Sequence, residues 1–198
     1  MLVGLGVCVS IPNINIPNSK TMSIVKQVIL NADEELRYPT PGELRMIRTF
    51  YKTGPERIRL AKTLEEKAQA IVDRGTRKFW QLCPRTPSNS GDRRKTEAAK
   101  RDVGWYIRLI SYCLLAGNNR PLREIGLVGM KELYTNIGIP LTNILQYIRC
   151  LKAEAIALLD ETDAAAVIPY FDEIIQELAL PGPPYFMNDG IGESESVV

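Results

Sequence analysis

Apolar residues recur along most of the chain at the three- and four-residue spacing that is typical of amphipathic helices. This spacing predicts helices over 23–37, 40–53, 54–80, 93–117, 121–138, 141–159 and 160–180. The segment from Cys83 to Asp92 is rich in Pro, Ser, Asn and Gly and is predicted to be a loop. No segment of any length alternates with the period of a strand. The fold is therefore predicted to be all-α, with about seven or eight helices in a globin-like packing.

Several helix ends are marked by residues with a known preference for these positions. Thr40-Pro41-Gly42-Glu43 combines a capping hydroxyl, a first-turn proline and a glutamate that closes a capping box. Gly117-Asn118 is expected to end one helix, and Ile139-Pro140 marks another boundary. These signals support the helical interpretation independently of the apolar spacing.

Composition narrows the function. The chain has 198 residues, of which 45% are hydrophobic and 24% charged, so one domain with a sizeable core is expected. The chain has 25 Lys and Arg residues against 23 Asp and Glu, a formal net charge of +2. This charge is too small to attract nucleic acid to the protein as a whole. The basic run at 93–95 is interpreted as a solvated face, and a nucleic-acid-binding helical protein is kept only as a third class.

Histidine is absent, which excludes His-ligated haem, His-ligated zinc and Ser-His-Asp catalysis. No nucleophile–base pair is recognisable, so an enzyme is not expected.

The cysteines and the apolar runs restrict the chain further. Cys8, Cys83, Cys113 and Cys150 form no CxxC pair, so free thiols are expected rather than a metal site. No apolar run reaches the roughly 18 residues of a membrane span. The apolar start, 1–16, lacks a basic region and a small-residue cleavage site, so a secretory signal is not predicted.

The most specific stretch runs from Ala98 to Leu109 and reads AAKRDVGWYIRL. It resembles the bilin-attachment helix of phycobiliproteins, most closely that of allophycocyanin α-type subunits of the B group. The family pattern is Cys-x-Arg-Asp, then two aromatic residues and x-Arg-Leu. The resemblance covers roughly 22–180, because similar motifs stand at Asn31–Asp33, Arg37–Leu44, Gly54, Ile125–Gly129, Glu132–Tyr134, Gly138–Pro140 and Pro169–Asp172.

The sequence departs from that family pattern at the attachment position. The cysteine that carries the chromophore in the family corresponds to Ala99, whose methyl group cannot form a thioether. Cys113 stands fourteen residues further along the same helix, about 21 Å away, and Cys150 is interpreted as a buried thiol. Cys83, in the shortened loop before the helix, is kept as an alternative attachment site.

Other pocket positions keep the family's residue types. Ala99, Asp102 and Tyr106 are spaced to share one helical face. The resemblance implies that Asp102 accepts the central pyrrole N–H groups, that Arg101 and Lys100 pair with the propionates, and that Tyr134 is a further pocket tyrosine. It also implies that Trp105 and Tyr106 press one ring toward a planar geometry. Alternatively, Asp102 and Arg101 form a solvated helix pair, and the two aromatic residues are plain core or interface residues.

Two functions follow from the resemblance. In the first, the chain holds phycocyanobilin non-covalently and is a red-shifted light-harvesting subunit of a phycobilisome core that passes excitation toward chlorophyll. In the second, the pocket is empty and the chain is a structural or regulatory allophycocyanin-like subunit. An inward-facing Asp102 would favour the first, because an empty pocket has no need of a buried carboxylate.

The resemblance also implies partners and a location. The two N-terminal helices are expected to form the contact with an allophycocyanin-type β subunit, through apolar faces at Ile24, Val28, Leu44 and Ile47. The αβ units are expected to assemble into trimeric rings with linker and other core subunits. They would lie on the cytoplasmic face of the cyanobacterial thylakoid membrane, peripheral to it and without nucleic acid. Residues 1–21 are expected to be an N-terminal extension, 22–180 the phycobiliprotein domain, and 181–198 a flexible acidic tail.

Overall fold

The computed structural model describes residues 23–180, and this part of the chain is helical with no strand. The all-α prediction is confirmed. Seven α-helices occur in this range: α1 Ile24–Glu34, α2 Pro41–Lys52, α3 Gly54–Leu82, α4 Arg93–Ala116, α5 Met130–Asn136, α6 Leu141–Leu158 and α7 Glu161–Ala179. A short 3₁₀ segment, Pro87–Asn89, precedes α4, and a π-helical segment, Leu122–Leu127, follows it. The predicted extension and acidic tail lie outside the described residues.

The predicted helix ends are confirmed where capping residues marked them. Thr40 accepts a bond from the Glu43 N–H at 3.2 Å, and Glu43 accepts one from the Thr40 N–H at 2.7 Å. This closes the capping box at the start of α2. Gly117 ends α4 in the left-handed conformation, φ 68°, which glycine adopts at little cost. Its backbone N–H bonds carbonyls of the last turn of α4.

The core is built where α3 packs against both α4 and α6, and where α6 also packs against α7. Gly75 on α3 allows the close crossing with α6, since a Cβ at this position would lie 2.7 Å from Leu151 Cδ2. The apolar stripes read from the sequence face this core. Its fully buried members include Leu64, Ile71, Ile110, Leu114, Ile148, Leu151 and Phe171.

A buried guanidinium fastens the start of α3 to two other helices. Arg57 is 4% exposed and donates to the carbonyl oxygens of Phe50 at 2.6 Å and Leu114 at 3.4 Å, and also to that of Leu115. Its Cζ lies 3.9 Å from the centroid of the Phe50 ring. Burial lowers the pKa of Arg57, and the carbonyls at the end of α4 compensate because a helix C-terminus favours a cation.

The prediction of one continuous helix over 121–138 is wrong. The π-helical turn ends at Val128, whose backbone is extended, and Gly129 adopts φ 71° before α5 begins. A left-handed glycine interrupts the helical hydrogen-bond ladder, and the apolar spacing alone could not locate it. The break matters for function, because it allows α5 to turn Tyr134 toward α4.

The predicted exposed face of the first helices is partly wrong. Ile24 and Val28 are 3% and 2% exposed, so they are buried rather than free for a partner. Leu44 is exposed as predicted, and Ile47 is half-buried. The exposed apolar side chains of α1 and the turn after it are instead Ile29, Leu30, Leu36 and Tyr38. Within the described part of the chain, no helix is long and apolar enough to cross a lipid bilayer.

Candidate functional site

A cavity of about 360 Å³ opens beside the first half of α4. Such a volume falls within the range of small-molecule sites, about 300–1,000 Å³. Its walls come from the end of α3, the loop before α4, α4 itself, the α5–α6 turn and the start of α6. The lining residues are mostly apolar, with a few polar groups: Thr86, Ser88, Lys95, Asp102, Tyr134, Asn143 and Tyr147.

The α4 face of the cavity carries Ala99, the predicted counterpart of the attachment cysteine, and Asp102, the predicted acceptor of the pyrrole N–H groups. Ala99 and Asp102 both line the cavity, as the helical spacing predicts. Tyr106, one turn further on, is fully buried and does not line it. Its hydroxyl lies 3.1 Å from that of Tyr134, which does line the cavity. Burial raises the pKa of both phenols, so they remain neutral hydrogen-bonding groups at neutral pH.

Asp102 stands at the open edge of the cavity rather than inside it. Its side chain is 53% exposed, and its Oδ1 accepts bonds from Arg101 Nη2 at 3.0 Å and Nε at 3.1 Å. The solvated helix pair considered as an alternative is therefore present. An exposed ion pair of this kind contributes at most about 1 kcal/mol, so the carboxylate stays available to other donors. The inward-facing carboxylate expected from the sequence is not what the structure has.

Two stacked aromatic rings form part of the cavity wall. Phe79 on α3 and Tyr147 on α6 have ring centroids 4.3 Å apart and planes 5° from parallel. The Tyr147 hydroxyl lies 2.5 Å from that of Thr76, which is also buried. Burial raises the pKa of Tyr147 to about 12. The pair provides a flat apolar surface whose polar atom is already satisfied by the protein.

The loop before α4 is tied down so that its residues line the cavity. Trp80 Nε1 donates to Ser88 Oγ at 3.1 Å, and Thr96 Oγ1 donates to the Ser88 carbonyl at 2.8 Å. Thr86 Oγ1 lies 3.2 Å from Ser88 Oγ. These bonds anchor Thr86 and Ser88 to the end of α3 and the start of α4. A loop predicted from its turn residues is thus a fixed wall.

The α5–α6 turn completes the enclosure. The Ile139 N–H bonds the Tyr134 carbonyl at 2.8 Å, and Gly138 adopts φ 72°. This is the usual way in which a glycine ends a helix and reverses the chain. The turn from Ile137 to Pro140 therefore lies directly beside Tyr134, and both line the cavity.

The two cations predicted to bind propionates are not among the residues that line this cavity. Lys100 donates to Asp73 Oδ1 at 2.8 Å and, with Arg101, lines a separate groove between α3 and α4. That groove is larger, about 630 Å³, but its lining includes both acidic and basic side chains: Glu65, Glu97, Lys100, Arg101 and Arg108. We favour the smaller cavity as the functional site, because its apolar walls and few polar groups suit a conjugated ligand.

The remaining predicted site residues are not cavity residues either. Trp105 packs against the core, with its ring centroid 5.6 Å from that of Tyr106, and it does not line the cavity. Its contact with a ligand stays a prediction. Cys83 caps the end of α3 and is half-buried against the core, outside the lining. Cys113 and Cys150 are buried, as expected for Cys150.

Several cavity residues were missed by the sequence analysis. Phe79, Asn143 and Tyr147 come from α3 and α6, whose pairing across the cavity is set by tertiary packing. Lys95 could have been found, since Lys95, Ala99 and Asp102 are spaced at i, i+4 and i+7 on one helical face. The residue was instead treated as part of a solvated basic run.

Comparison with known proteins identifies the family of this chain. Residues 27–178 match the family model described as phycobilisome protein. The chain is 46% identical over 158 residues to the allophycocyanin alpha-B chain of Synechococcus sp., covering 78% of this chain and 97% of that one. It is 42% identical over 161 residues to the allophycocyanin subunit alpha-B of Nostoc sp., covering 80% of this chain and 100% of that one.

Both relatives are matched over nearly their full length by an all-helical chain with a cavity beside α4. The chain belongs to the phycobilisome protein family. Members of this family are light-harvesting pigment proteins and not enzymes. The chain is therefore a light-harvesting subunit of a phycobilisome core.

Proposed function

We propose that this chain binds phycocyanobilin non-covalently in the cavity beside α4 and acts as a far-red excitation acceptor in a phycobilisome core. The observation that carries the proposal is the cavity lining. Ala99, which the resemblance makes the counterpart of the attachment cysteine, lines the same space as a carboxylate, the Tyr134 phenol and a stacked aromatic pair. Bound bilin would supply light absorption and transfer of excitation toward chlorophyll.

The residues that line the cavity fit an open-chain tetrapyrrole. Its pyrrole N–H groups need an acceptor, and Asp102 is the only carboxylate among the described residues of the lining. A carboxylate can accept several N–H bonds and stabilise a protonated ring system. A ligand seated at the open edge would cover Asp102 and strengthen these bonds by excluding water. Phe79 and Tyr147 offer a flat surface for the conjugated rings.

The missing thiol supports the red-shifted character of the proposal. Covalent attachment adds a thiol across a double bond at ring A and removes that bond from the conjugated system. Ala99 has no thiol, so the double bond is retained and the pigment absorbs at longer wavelength. The resemblance also implies that Trp105 presses one ring toward a planar geometry, which supports the same direction.

The partners follow from the family and from the exposed surface. Ile29, Leu30, Leu36, Tyr38 and Leu44 expose apolar area on α1, α2 and the turn between them. Several exposed apolar side chains on two consecutive helices and the turn between them are typical of a protein–protein interface. The proposed partner is an allophycocyanin-type β subunit, with αβ units in trimeric rings alongside linker subunits. The assembly would be peripheral to the cytoplasmic face of the thylakoid membrane.

A chromophore-free structural or regulatory subunit is the second candidate. The observation that favours it is the exposure of Asp102 and its pairing with Arg101, which needs no ligand. The apolar cavity and its fixed loop favour the first candidate, since an unused cavity has no reason to retain an apolar lining around one carboxylate.

The test is coexpression of the full chain with the enzymes of phycocyanobilin synthesis. The absorption spectrum is recorded, and the chain is then denatured in acidic urea and separated from small molecules. A coloured native chain whose pigment separates freely is the expected result. Asp102→Asn keeps the shape but removes the charge, and it should reduce the long-wavelength band. Asp33→Asn on α1, which does not line the cavity, is the matched control.

Two other results would be decisive against the proposal. A folded but colourless chain would establish the chromophore-free alternative. Pigment that stays on the denatured polypeptide would contradict non-covalent binding, and its loss in Cys83→Ser would identify Cys83 as the attachment site.

A further inference from the structure

Lys95 is the only cation among the described residues that line the cavity. The sequence analysis assigned the propionate groups of the tetrapyrrole to Arg101 and Lys100. The structure places both of these in the separate groove between α3 and α4, with Lys100 bonded to Asp73. Arg101 is held by Asp102 at the open edge of the cavity, so Lys95 is the cation within the lining that can meet a carboxylate entering it.

Lys95 has the position that such a partner requires. It stands four residues before Ala99 and seven before Asp102, so all three lie on one face of α4, and all three line the same cavity. Along the helix axis, Lys95 is about 10 Å from Asp102 at 1.5 Å per residue. The cavity thus has its positive and negative charges about two turns apart along one wall.

The ammonium group of Lys95 is available for a ligand. Its side chain is 59% exposed, and its ion pair with Asp92 is long, at 3.9 Å. Asp92 already accepts the Arg94 N–H at 2.9 Å as the N-cap of α4. An exposed pair at this distance contributes little, and the four-carbon stem of lysine allows the charge to move to a nearby anion.

We infer that Lys95 binds a propionate carboxylate of the tetrapyrrole and positions the pyrrole N–H groups over Asp102. This inference rests on the proposed function and names how the same site orients its ligand. The chemistry is complementary, because a bilin carries carboxylates at its edge and N–H groups at its centre. Lys95 acts as a non-covalent positioning residue, and no bond to its nitrogen is involved.

The test compares free phycocyanobilin with its dimethyl ester, which lacks the carboxylate charges. Purified full-length chain is titrated with each, and the dissociation constant is measured from absorption. Lys95→Met should weaken binding of the free acid about fivefold, which corresponds to the loss of one favourable ion pair. Binding of the ester should not change. Lys100→Met is the matched control, since it removes a lysine of the same helix from the other groove.

The outcomes separate the inference from the proposed function. Equal affinity of the unmodified chain and Lys95→Met for the free acid would overturn the inference and leave the proposed function in place. Weakening by Lys100→Met instead would do the same. Failure of the unmodified chain to bind either form would overturn both. Circular dichroism of each variant confirms that its helices are intact.

Discussion

Tyr106 on α4 and Tyr134 on α5 place their phenol oxygens 3.1 Å apart, and this bond joins α4 to α5 beside the cavity. Tyr106 is 0% exposed and Tyr134 is 6% exposed. The bond therefore lies in an environment where an unsatisfied hydroxyl would be costly. It also sets the position of Tyr134, the one member of the pair that lines the cavity.

Burial of this pair predicts a loss of stability in alkaline solution. Burial raises the pKa of both phenols, whereas a tyrosine in the unfolded chain ionises at about 10. Above that pH the unfolded state holds fewer protons than the folded state, so the free energy of unfolding falls as pH rises. Tyr106→Phe should cost about 1 kcal/mol at neutral pH but should lose stability less steeply above about pH 10.

Urea unfolding between neutral pH and about pH 11 measures this effect, and the two stability curves should converge as pH rises. Tyr38→Phe is the control, because that side chain is 93% exposed and its curve should run parallel to the curve of the unmodified chain. Parallel curves for Tyr106→Phe would show that the phenol does not titrate differently in the folded and unfolded states.

Two glycine substitutions, one on α3 and one on α4, are predicted to have opposite effects on stability. A Cβ on Gly75 would lie 3.3 Å from Leu151 Cα as well as 2.7 Å from its Cδ2, so Gly75→Ala must separate the helices. We expect a loss of about 2 kcal/mol. A Cβ on Gly104 meets only Val72 Cγ2 at 3.6 Å, an ordinary contact. Gly104→Ala should gain up to about 1 kcal/mol from helix propensity.

Thermal unfolding of the two variants provides the comparison. The melting temperature should fall for Gly75→Ala and stay level or rise for Gly104→Ala. A Gly75→Ala chain as stable as the unmodified chain would mean that the α3–α6 contact is looser than described.

Restoring a thiol at position 99 is expected to attach the pigment covalently to the polypeptide and to shift its absorption to shorter wavelength. Ala99→Cys places a thiol in the cavity wall, where its S–H can add across the ring A double bond of the bilin. The new C–S bond shortens the conjugated system, so absorption should move to shorter wavelength. Pigment should then remain on the polypeptide after denaturation in acidic urea. Ser111→Cys, in the groove between α3 and α4, is the matched control and should retain no pigment.

An Ala99→Cys chain that releases its pigment and keeps the original spectrum would argue that position 99 is not next to ring A. The experiment includes a bilin lyase, so that slow spontaneous addition does not conceal the result.

Much of the fold could be predicted from local signals in the sequence. The capping box at Thr40 and the glycine end at Gly117 act within one helical turn, and the structure has both. The break at Gly129 was missed because the apolar spacing continues on both sides of it. Ile24 and Val28 were predicted to face a partner, but they are buried. An apolar stripe cannot by itself distinguish an intramolecular contact from an intermolecular one.

Helical spacing could predict the candidate site only along α4, while Tyr134 on α5 was predicted from the family resemblance and also lines the cavity. Ala99 and Asp102 follow from helical spacing within one element, and both line the cavity. The same rule did not separate the two sides of α4, so Lys100 and Arg101 were assigned to the ligand although they line the other groove. Phe79 and Tyr147 are far apart in sequence, and only the packing of α3 against α6 stacks them.

The location of the pigment is the central claim, and a titration with two blocking variants tests it most directly. Ala99→Trp fills the cavity beside Asp102, whereas Ser111→Trp fills the groove between α3 and α4. Free phycocyanobilin is added to each purified chain, and the long-wavelength band is followed to saturation. The unmodified chain and Ser111→Trp should each bind one pigment per chain, and Ala99→Trp should bind none. Undiminished binding by Ala99→Trp, or loss of binding in Ser111→Trp alone, would contradict the account.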